Sequence, residues 1–165
     1  MRAWLQRLND WEGPVCAAWN RRGHRTLVKR TFQVISRLGD GVIWYITTAL
    51  LPIAFGQAGL DASLQMLAVG LSSLVVYKAL KHGTHRRRPC DYHGNVVPLM
   101  PALDEFSFPS GHTLHAVGFT LVIVWHFPGL IWLYGSFTLL VAASRLVLGL
   151  HYPSDVVAGA LIGAT

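Results

Sequence analysis

From Phe106 to Ser144 the chain runs for 39 residues without one Asp, Glu, Lys or Arg. A hydrocarbon layer needs roughly 20 apolar residues per helical crossing, so this run is long enough for two. His126-Phe127-Pro128-Gly129 supplies turn chemistry near its middle. Gly41 to Leu60 and Ala62 to Tyr77 are likewise free of charged residues. Only 13% of the chain is charged, against ~25% in an ordinary soluble domain. A multi-span transmembrane α-helical bundle of five to six helices is therefore expected.

The apolar runs set the order of elements. Gly41–Phe55 is expected as a first span, with Pro52 tolerated near its end, and Leu60–Leu80 as a second after a short turn at Gly56–Gly59. Residues 81–109 form a long polar loop. Ser110–Phe127 and Leu130–Leu150 follow as spans. Pro153 opens a further helix at a favoured first-turn position; its 13 residues, about 20 Å, fall short of a crossing, so the sequence is expected to stop inside that span.

Residues 1–38 read differently, giving two parts: an amphipathic segment, 1–38, and a transmembrane domain, 39–165. Trp4, Leu8, Trp11, Val15 and Trp19 recur at steps of three and four, one stripe of a helix, with Arg2, Arg7, Arg21 and Arg22 set among them. Tryptophan and arginine suit a headgroup zone, so a helix lying in the membrane interface is expected; the other reading is a helix packed on the bundle's flank. Gly13-Pro14 is expected to kink or split it. No continuous apolar core before a small-residue cleavage site is visible there.

The formal net charge of +6 and pI of about 9.8 could indicate nucleic acid. The cations, however, are confined to the first 38 residues, to Lys78–Arg88 and to Arg145, which in a membrane chain points to anionic headgroups rather than nucleic acid. Cys16 and Cys90 give neither a metal spacing nor a disulfide framework and are read as free thiols. His82, His85 and His115 lack a companion carboxylate or cysteine set for a metal; His24, His93 and His126 are read as surface or interfacial.

Three short stretches carry the chemistry. Lys81 and Arg88-Pro89 close the second apolar run; Arg grips phosphate bidentately and Lys acts as a point charge. Arg86 and Arg87, between them, read as a snorkelling basic collar. Pro109-Ser110-Gly111-His112 opens the next helix, where serine suits a cap, free amides cradle anions and glycine admits close approach. In Ser144-Arg145-x5-His151-x3-Asp155, an arginine between apolar runs should line a polar cavity. Asp155, in the first turn of its helix, can reach back to an imidazole nitrogen of His151 and fix its tautomer.

Taken together, Lys-x6-Arg-Pro, Pro-Ser-Gly-His and Ser-Arg-x5-His-x3-Asp resemble the three-part signature of the type 2 phosphatidic acid phosphatase family, in its order and without substitution. The resemblance covers about residues 41–165. It implies that His151 is the nucleophile, forming a phosphohistidine, that Asp155 orients it, and that His112 protonates the departing oxygen. Lys81, Arg88, Ser110, Gly111 and Arg145 would hold the phosphoryl oxygens, with no metal or other cofactor. A lipid phosphatase is expected, with an isoprenoid pyrophosphate such as undecaprenyl pyrophosphate favoured, and phosphatidylglycerophosphate or phosphatidic acid next.

The family also holds vanadium haloperoxidases, so a vanadate-dependent oxidase on the same scaffold is one rival, and a catalytically silent lipid-binding protein another. A multi-pass protein of a bacterial inner membrane is expected. Relatives of this kind suggest a site on the periplasmic face, whereas eight of the fourteen Lys and Arg lie before Gly39, which favours the cytoplasmic face. Oligomeric state is left open.

Overall fold

The structure, a computed structural model, describes residues 3–165, with side chains from Trp4 onward; Arg2 lies outside the described residues. Among these residues the fold is all-α. In chain order the helices are α1 (Ala3–Gly23), α2 (Thr26–Arg37), α3 (Ile43–Thr84), the short α4 (Pro89–Tyr92), α5 (Gly111–His126), α6 (Ile131–Val147) and α7 (Pro153–Gly163). A π-turn, Leu38–Val42, joins α2 to α3, and a 3-10 turn, Pro128–Leu130, precedes α6.

α3 is two antiparallel halves. Gly56 adopts φ 57° and ψ −130°, a conformation that a side chain would resist, and the chain doubles back there. The Ser63 hydroxyl then donates to the Thr48 carbonyl at 2.8 Å across the hairpin. These halves match the first two apolar runs and the turn expected between them.

α5 sits at the centre, in contact with α3, α6 and α7. Trp44 anchors the middle of the bundle against Phe119, Tyr134 and Phe137, with ring centroids 5.3, 6.2 and 5.7 Å away; each such pair adds about 0.5–1.5 kcal/mol beyond burial. α7 reaches α5 through Gly159 and Gly163, where an added Cβ would strike the carbonyls of Ser110 and Leu114. This small-residue seam lets two backbones meet at close range and fixes the start of α7 against the start of α5.

The outer surface is apolar. Tyr45, Ile53, Leu71, Trp125, Trp132 and Leu139 are all more than 65% exposed, far beyond the isolated patches of a soluble monomer. By length and composition, Thr26–Thr84 and Pro128–Val147 qualify as membrane-crossing segments. α5, at 16 residues, and α7, at 11, are shorter than the roughly 20 residues of a full crossing.

The N-terminal segment departs from expectation at one point. α1 passes through Pro14 without a break, because Pro14 lies on the exposed side, where the Asp10 carbonyl it leaves unpaired can meet solvent. The break falls instead at His24-Arg25, between α1 and α2. The tryptophan stripe faces outward, with Trp4 58% and Trp11 76% exposed. The opposite face, Leu5, Asn9, Glu12, Cys16 and Asn20, is buried on the bundle. Asn20 shows how: its side chain donates to the carbonyls of Val97 and Val147 and accepts from the Val97 amide.

Candidate functional site

The ends of four helices meet at one end of the bundle: the C-termini of α3 and α6 and the N-termini of α5 and α7. Between them lies a cavity of about 630 Å3. Lys81, Arg88, Gly111, His112, Arg145 and His151 all line it. Ser110 and Asp155, fully buried, stand outside its lining, and the Ser110 amide donates to the Asp155 carbonyl at 3.0 Å. Three stretches far apart in sequence therefore converge, with both motif imidazoles on one cavity.

The turn after α6 aims His151. Gly149 takes φ 73°, and the Arg145 carbonyl accepts from the amides of Leu150 and His151 at 3.1 and 3.2 Å. One Arg88 Nη1 bonds the Leu150 carbonyl at 2.7 Å and lies 3.3 Å from His151 Nε2. A guanidinium only donates, so Nε2 is the unprotonated nitrogen and Nδ1 carries the hydrogen. Nδ1 faces Asp155 Oδ2 at 3.6 Å and has no hydrogen-bond partner. Burial first, then the charges of Arg88, Arg145 and Lys81, hold the imidazole pKa well below its usual value. His151 is thus a neutral base with its lone pair aimed at the cations.

Asp155 is fixed on both oxygens. Oδ2 accepts from the Tyr152 amide at 2.9 Å at the start of α7. Oδ1 accepts from Arg86 Nη1 at 2.6 Å. Arg86 is the clearest correction to the sequence reading. It is 1% exposed, no collar, and bonds Asn9, Glu12 and Ser154 as well as Asp155, with its guanidinium 4.0 Å over the Tyr152 ring. Arg87 is exposed, as the collar reading expects.

The cationic wall is already occupied by a carboxylate of the polar loop. Asp104 Oδ1 accepts from Arg88 Nη2 at 2.7 Å and from Lys81 Nζ. The Asp104 carbonyl takes Arg88 Nε, and the Phe106 carbonyl takes Lys81 Nζ. Burial would raise the Asp104 pKa, but the Lys81 hydrogen bond and charge, with Arg88, outweigh it and lower it. Arg145, 2% exposed, donates to the Ser36 hydroxyl and keeps a buried Nε without a partner. Its spare donor and the open cavity beside it leave room for an anion.

His112 stands in the first turn of α5, its Nε2 3.3 Å from Asp40 Oδ1. Asp40 belongs to the π-turn and also lines the cavity. The first bond within α5 runs from the Leu114 amide to the Ser110 carbonyl, so the amides of 111–113 lack intrahelical partners. The Ser110 hydroxyl does not cap the helix; it pairs with Thr113 Oγ1 at 2.9 Å. Away from the charges the cavity wall is hydrocarbon, from Leu74 through Leu71 and Leu67 to Met66.

His115 bonds the Gly111 carbonyl. His93, read from sequence as surface or interfacial, is half-buried under α1 and lies 3.1 Å from the Asn9 carbonyl. Sequence reasoning missed Asp40, Asp104, Arg86 and Glu12. A buried acid on a helix that otherwise reads as a tryptophan stripe gives no local signal; Gly159-x3-Gly163, by contrast, was readable as a close-packing seam.

The described residues define a class: an all-α bundle with a largely apolar exterior, enclosing a cavity that is cationic at one end and hydrocarbon along its wall. More particularly, the chain belongs to the PAP2 superfamily, whose family model matches residues 62–165. An undecaprenyl-diphosphatase of Sulfolobus acidocaldarius is 29% identical over 131 residues, covering 79% of this chain and 63% of that protein. A lipid A 1-phosphatase of Rhizobium johnstonii is 29% identical over 157 residues, covering 83% of this chain and 64% of that one. The chain thus spans a little under two thirds of the length of these relatives.

Two solved structures share the fold. A transmembrane PAP2-type phosphatidylglycerolphosphate phosphatase from Bacillus subtilis superposes with a TM-score of 0.75 at 24% identity, covering 99% of this chain and 82% of that one. LpxE of Aquifex aeolicus superposes with a TM-score of 0.79 at 24% identity, covering 92% and 88%.

Proposed function

We propose that the protein is an integral membrane lipid phosphatase that cleaves a phosphate monoester or diphosphate through a phosphohistidine on His151. One observation carries the reading: a neutral, buried His151, its Nε2 lone pair beside Arg88 and its Nδ1 toward Asp155, shares a cavity with Lys81, Arg145 and His112. In the proposed reaction Nε2 attacks phosphorus in line, and the P–N bond forms as the P–O bond to the leaving group breaks. The leaving oxygen takes its proton from His112, whose Nε2 lies 3.3 Å from Asp40 Oδ1. Water then attacks the phosphohistidine, His112 accepts a proton from it, and the P–N electron pair returns to Nε2. Lys81, Arg88 and Arg145, with the amides at the start of α5, hold the equatorial oxygens, where the transition-state charge spreads. Three cations supply the positive field, so no step needs a metal.

The apolar cavity wall supports a substrate that keeps its hydrocarbon in the bilayer while its headgroup enters. An isoprenoid diphosphate is favoured, followed by phosphatidylglycerophosphate and phosphatidic acid; the relatives include an undecaprenyl-diphosphatase and a lipid A 1-phosphatase. The test is phosphate release by purified protein in detergent with EDTA, across a panel of these lipids. Turnover that survives EDTA and ranks the diphosphate first supports the proposal. No turnover on any member, with binding retained, would leave a silent lipid-binding protein; halide oxidation with added vanadate would point to the oxidase.

Asp104 bears on the same site. It sits where a phosphoryl oxygen would bridge Lys81 and Arg88, so Asp104→Asn should tighten competitive inhibition by vanadate or inorganic phosphate about fivefold, the ~1 kcal/mol of one unit-charge repulsion at contact distance in water. Inhibition constants measured on both proteins check this; weaker inhibition in the variant would contradict it.

The chain is proposed to lie in a bacterial inner membrane, with α1 and the π-linked α2 at its interface, the α3 halves, α5, α6 and α7 as its spans, and the site at the periplasmic boundary. Lys81, Arg86, Arg88 and Arg145 are buried and carry no loop-charge weight; the exposed arginines of α1 and α2 favour the opposite face. Labelling decides between them. Burial, with Asp91, pushes the Cys90 thiol up to about 11, so a cysteine at exposed Asn95, in a Cys90→Ser background, is the better probe. Reaction with an impermeant maleimide in intact cells supports the periplasmic face, and reaction only after lysis the cytoplasmic one.

A further inference from the structure

Arg86 and Glu12 form a buried cluster that the proposed chemistry does not itself use, and Glu12 lies on a helix outside the matched family region of 62–165. Glu12 is 2% exposed. Its Oε2 accepts from Arg86 Nη2 and from the Ser154 hydroxyl, both at 2.7 Å, and its Oε1 accepts from the Ser154 amide, also at 2.7 Å. Glu12 therefore grips the first turn of α7, where a carboxylate is favoured by the free amides and the helix dipole. Arg86 spans the two acids, with Nη2 on Glu12 and Nη1 on Asp155 Oδ1 and the Ser154 hydroxyl. Asn9 Oδ1 takes the remaining Nε hydrogen at 2.9 Å.

We infer that Glu12 and Arg86 are positioning residues for the phosphohistidine reaction, acting through Asp155. With Oδ1 held by Arg86 and Oδ2 by the Tyr152 amide, the Asp155 carboxylate has no rotational freedom, and Oδ2 stays aimed at His151 Nδ1. Charge is the second part of the device. When Nε2 bonds phosphorus the ring becomes cationic, its Nδ1 proton stays in place, and Asp155 must meet that charge. A lone Arg86–Asp155 pair would spend the carboxylate's charge on the guanidinium. Glu12 shares Arg86, so the cluster holds two carboxylates and one guanidinium and keeps a net negative charge for the imidazolium. The amphipathic N-terminal helix is thereby part of the active site, although none of its residues lines the cavity.

The inference rests on the proposed role of His151, and a double-mutant cycle separates the two. Full-length wild type, Glu12→Gln, Asp155→Asn, the Glu12→Gln/Asp155→Asn double variant and His151→Ala are compared in detergent for kcat, KM and vanadate inhibition. Size-exclusion and thermal unfolding confirm that each is folded. Glu12→Gln is expected to lower kcat about tenfold, the size of a modest charge-coupling effect, with KM and vanadate inhibition within about twofold. In the Asp155→Asn background the same change should alter kcat less than about twofold, because its target is gone. Arg86→Lys, which keeps the charge but not the planar fork, runs through the same cycle with the same expected pattern and stands in should Glu12→Gln not fold.

Equal losses in both backgrounds would make Glu12 a purely structural residue and overturn the inference, as would an unchanged kcat in the single variant. A fully active His151→Ala would instead overturn the proposed nucleophile.

Discussion

His151→Ala is expected to lower phosphate release by at least ~10⁴-fold while leaving lipid binding intact, because it removes the proposed nucleophile. The side chain is small, 2% exposed and bordered by charges, so its loss leaves a polar pocket that water can fill rather than a collapsed core. His112→Ala should separate substrates instead of silencing all of them. A lipid alcohol is a poor leaving group and needs a proton, the role proposed for His112; a lipid phosphate leaves readily as an anion. General acid catalysis is worth roughly 10²–10⁴-fold where it is needed. The His112→Ala loss should therefore lie near the top of that range for a phosphate monoester and near the bottom for a diphosphate. Steady-state kinetics on one lipid of each kind checks both variants. Equal losses on the two lipids would remove His112 from the acid role, and near-normal turnover by His151→Ala would remove the nucleophile.

The second large effect concerns stability. Arg86→Ala would strand the carboxylates of Glu12 and Asp155, each at least 97% buried by side chain, without their shared cation. Removing one partner from a buried ion cluster costs about 3–5 kcal/mol, a large part of the net stability of a small fold. The variant should be recovered in low yield and unfold at a much lower temperature in detergent. Adding Glu12→Gln and Asp155→Asn to Arg86→Ala should restore much of the loss, since the stranded charges are then gone. A single variant within about 0.5 kcal/mol of wild type would show that the cluster is not the ionised network described here.

Much of this was legible in the sequence, for identifiable reasons. The apolar runs mark the α3 halves, α5 and α6 because a helix meeting hydrocarbon must carry apolar side chains along its length. Gly56 and Pro153 mark a turn and a helix start because few residues tolerate those backbone geometries. The motif residues around Lys81, Ser110 and Arg145 stood out because charged and polar groups beside such runs are costly without a purpose. What stayed hidden depends on tertiary partners. Arg86 and Arg87 are adjacent and chemically alike, yet one is buried in an ion cluster and the other is exposed; the difference arises from α1, whose buried Asn9 and Glu12 bond Arg86. Pro14 left α1 unbroken because it points away from the bundle. Asp40 and Asp104 lie outside the three motifs and join the site only when the turn and loop that carry them fold onto the cavity.

The most direct test of the central claim is to trap the phosphoenzyme. Protein mixed with a lipid diphosphate labelled in its terminal phosphate is quenched within one turnover in alkaline detergent, and the labelled peptide is mapped by mass spectrometry. The account predicts a label on His151, stable in alkali and lost in acid, and absent from His151→Ala. Rapid turnover with no trapped label, or a label that persists on another residue when His151 is replaced, would contradict it.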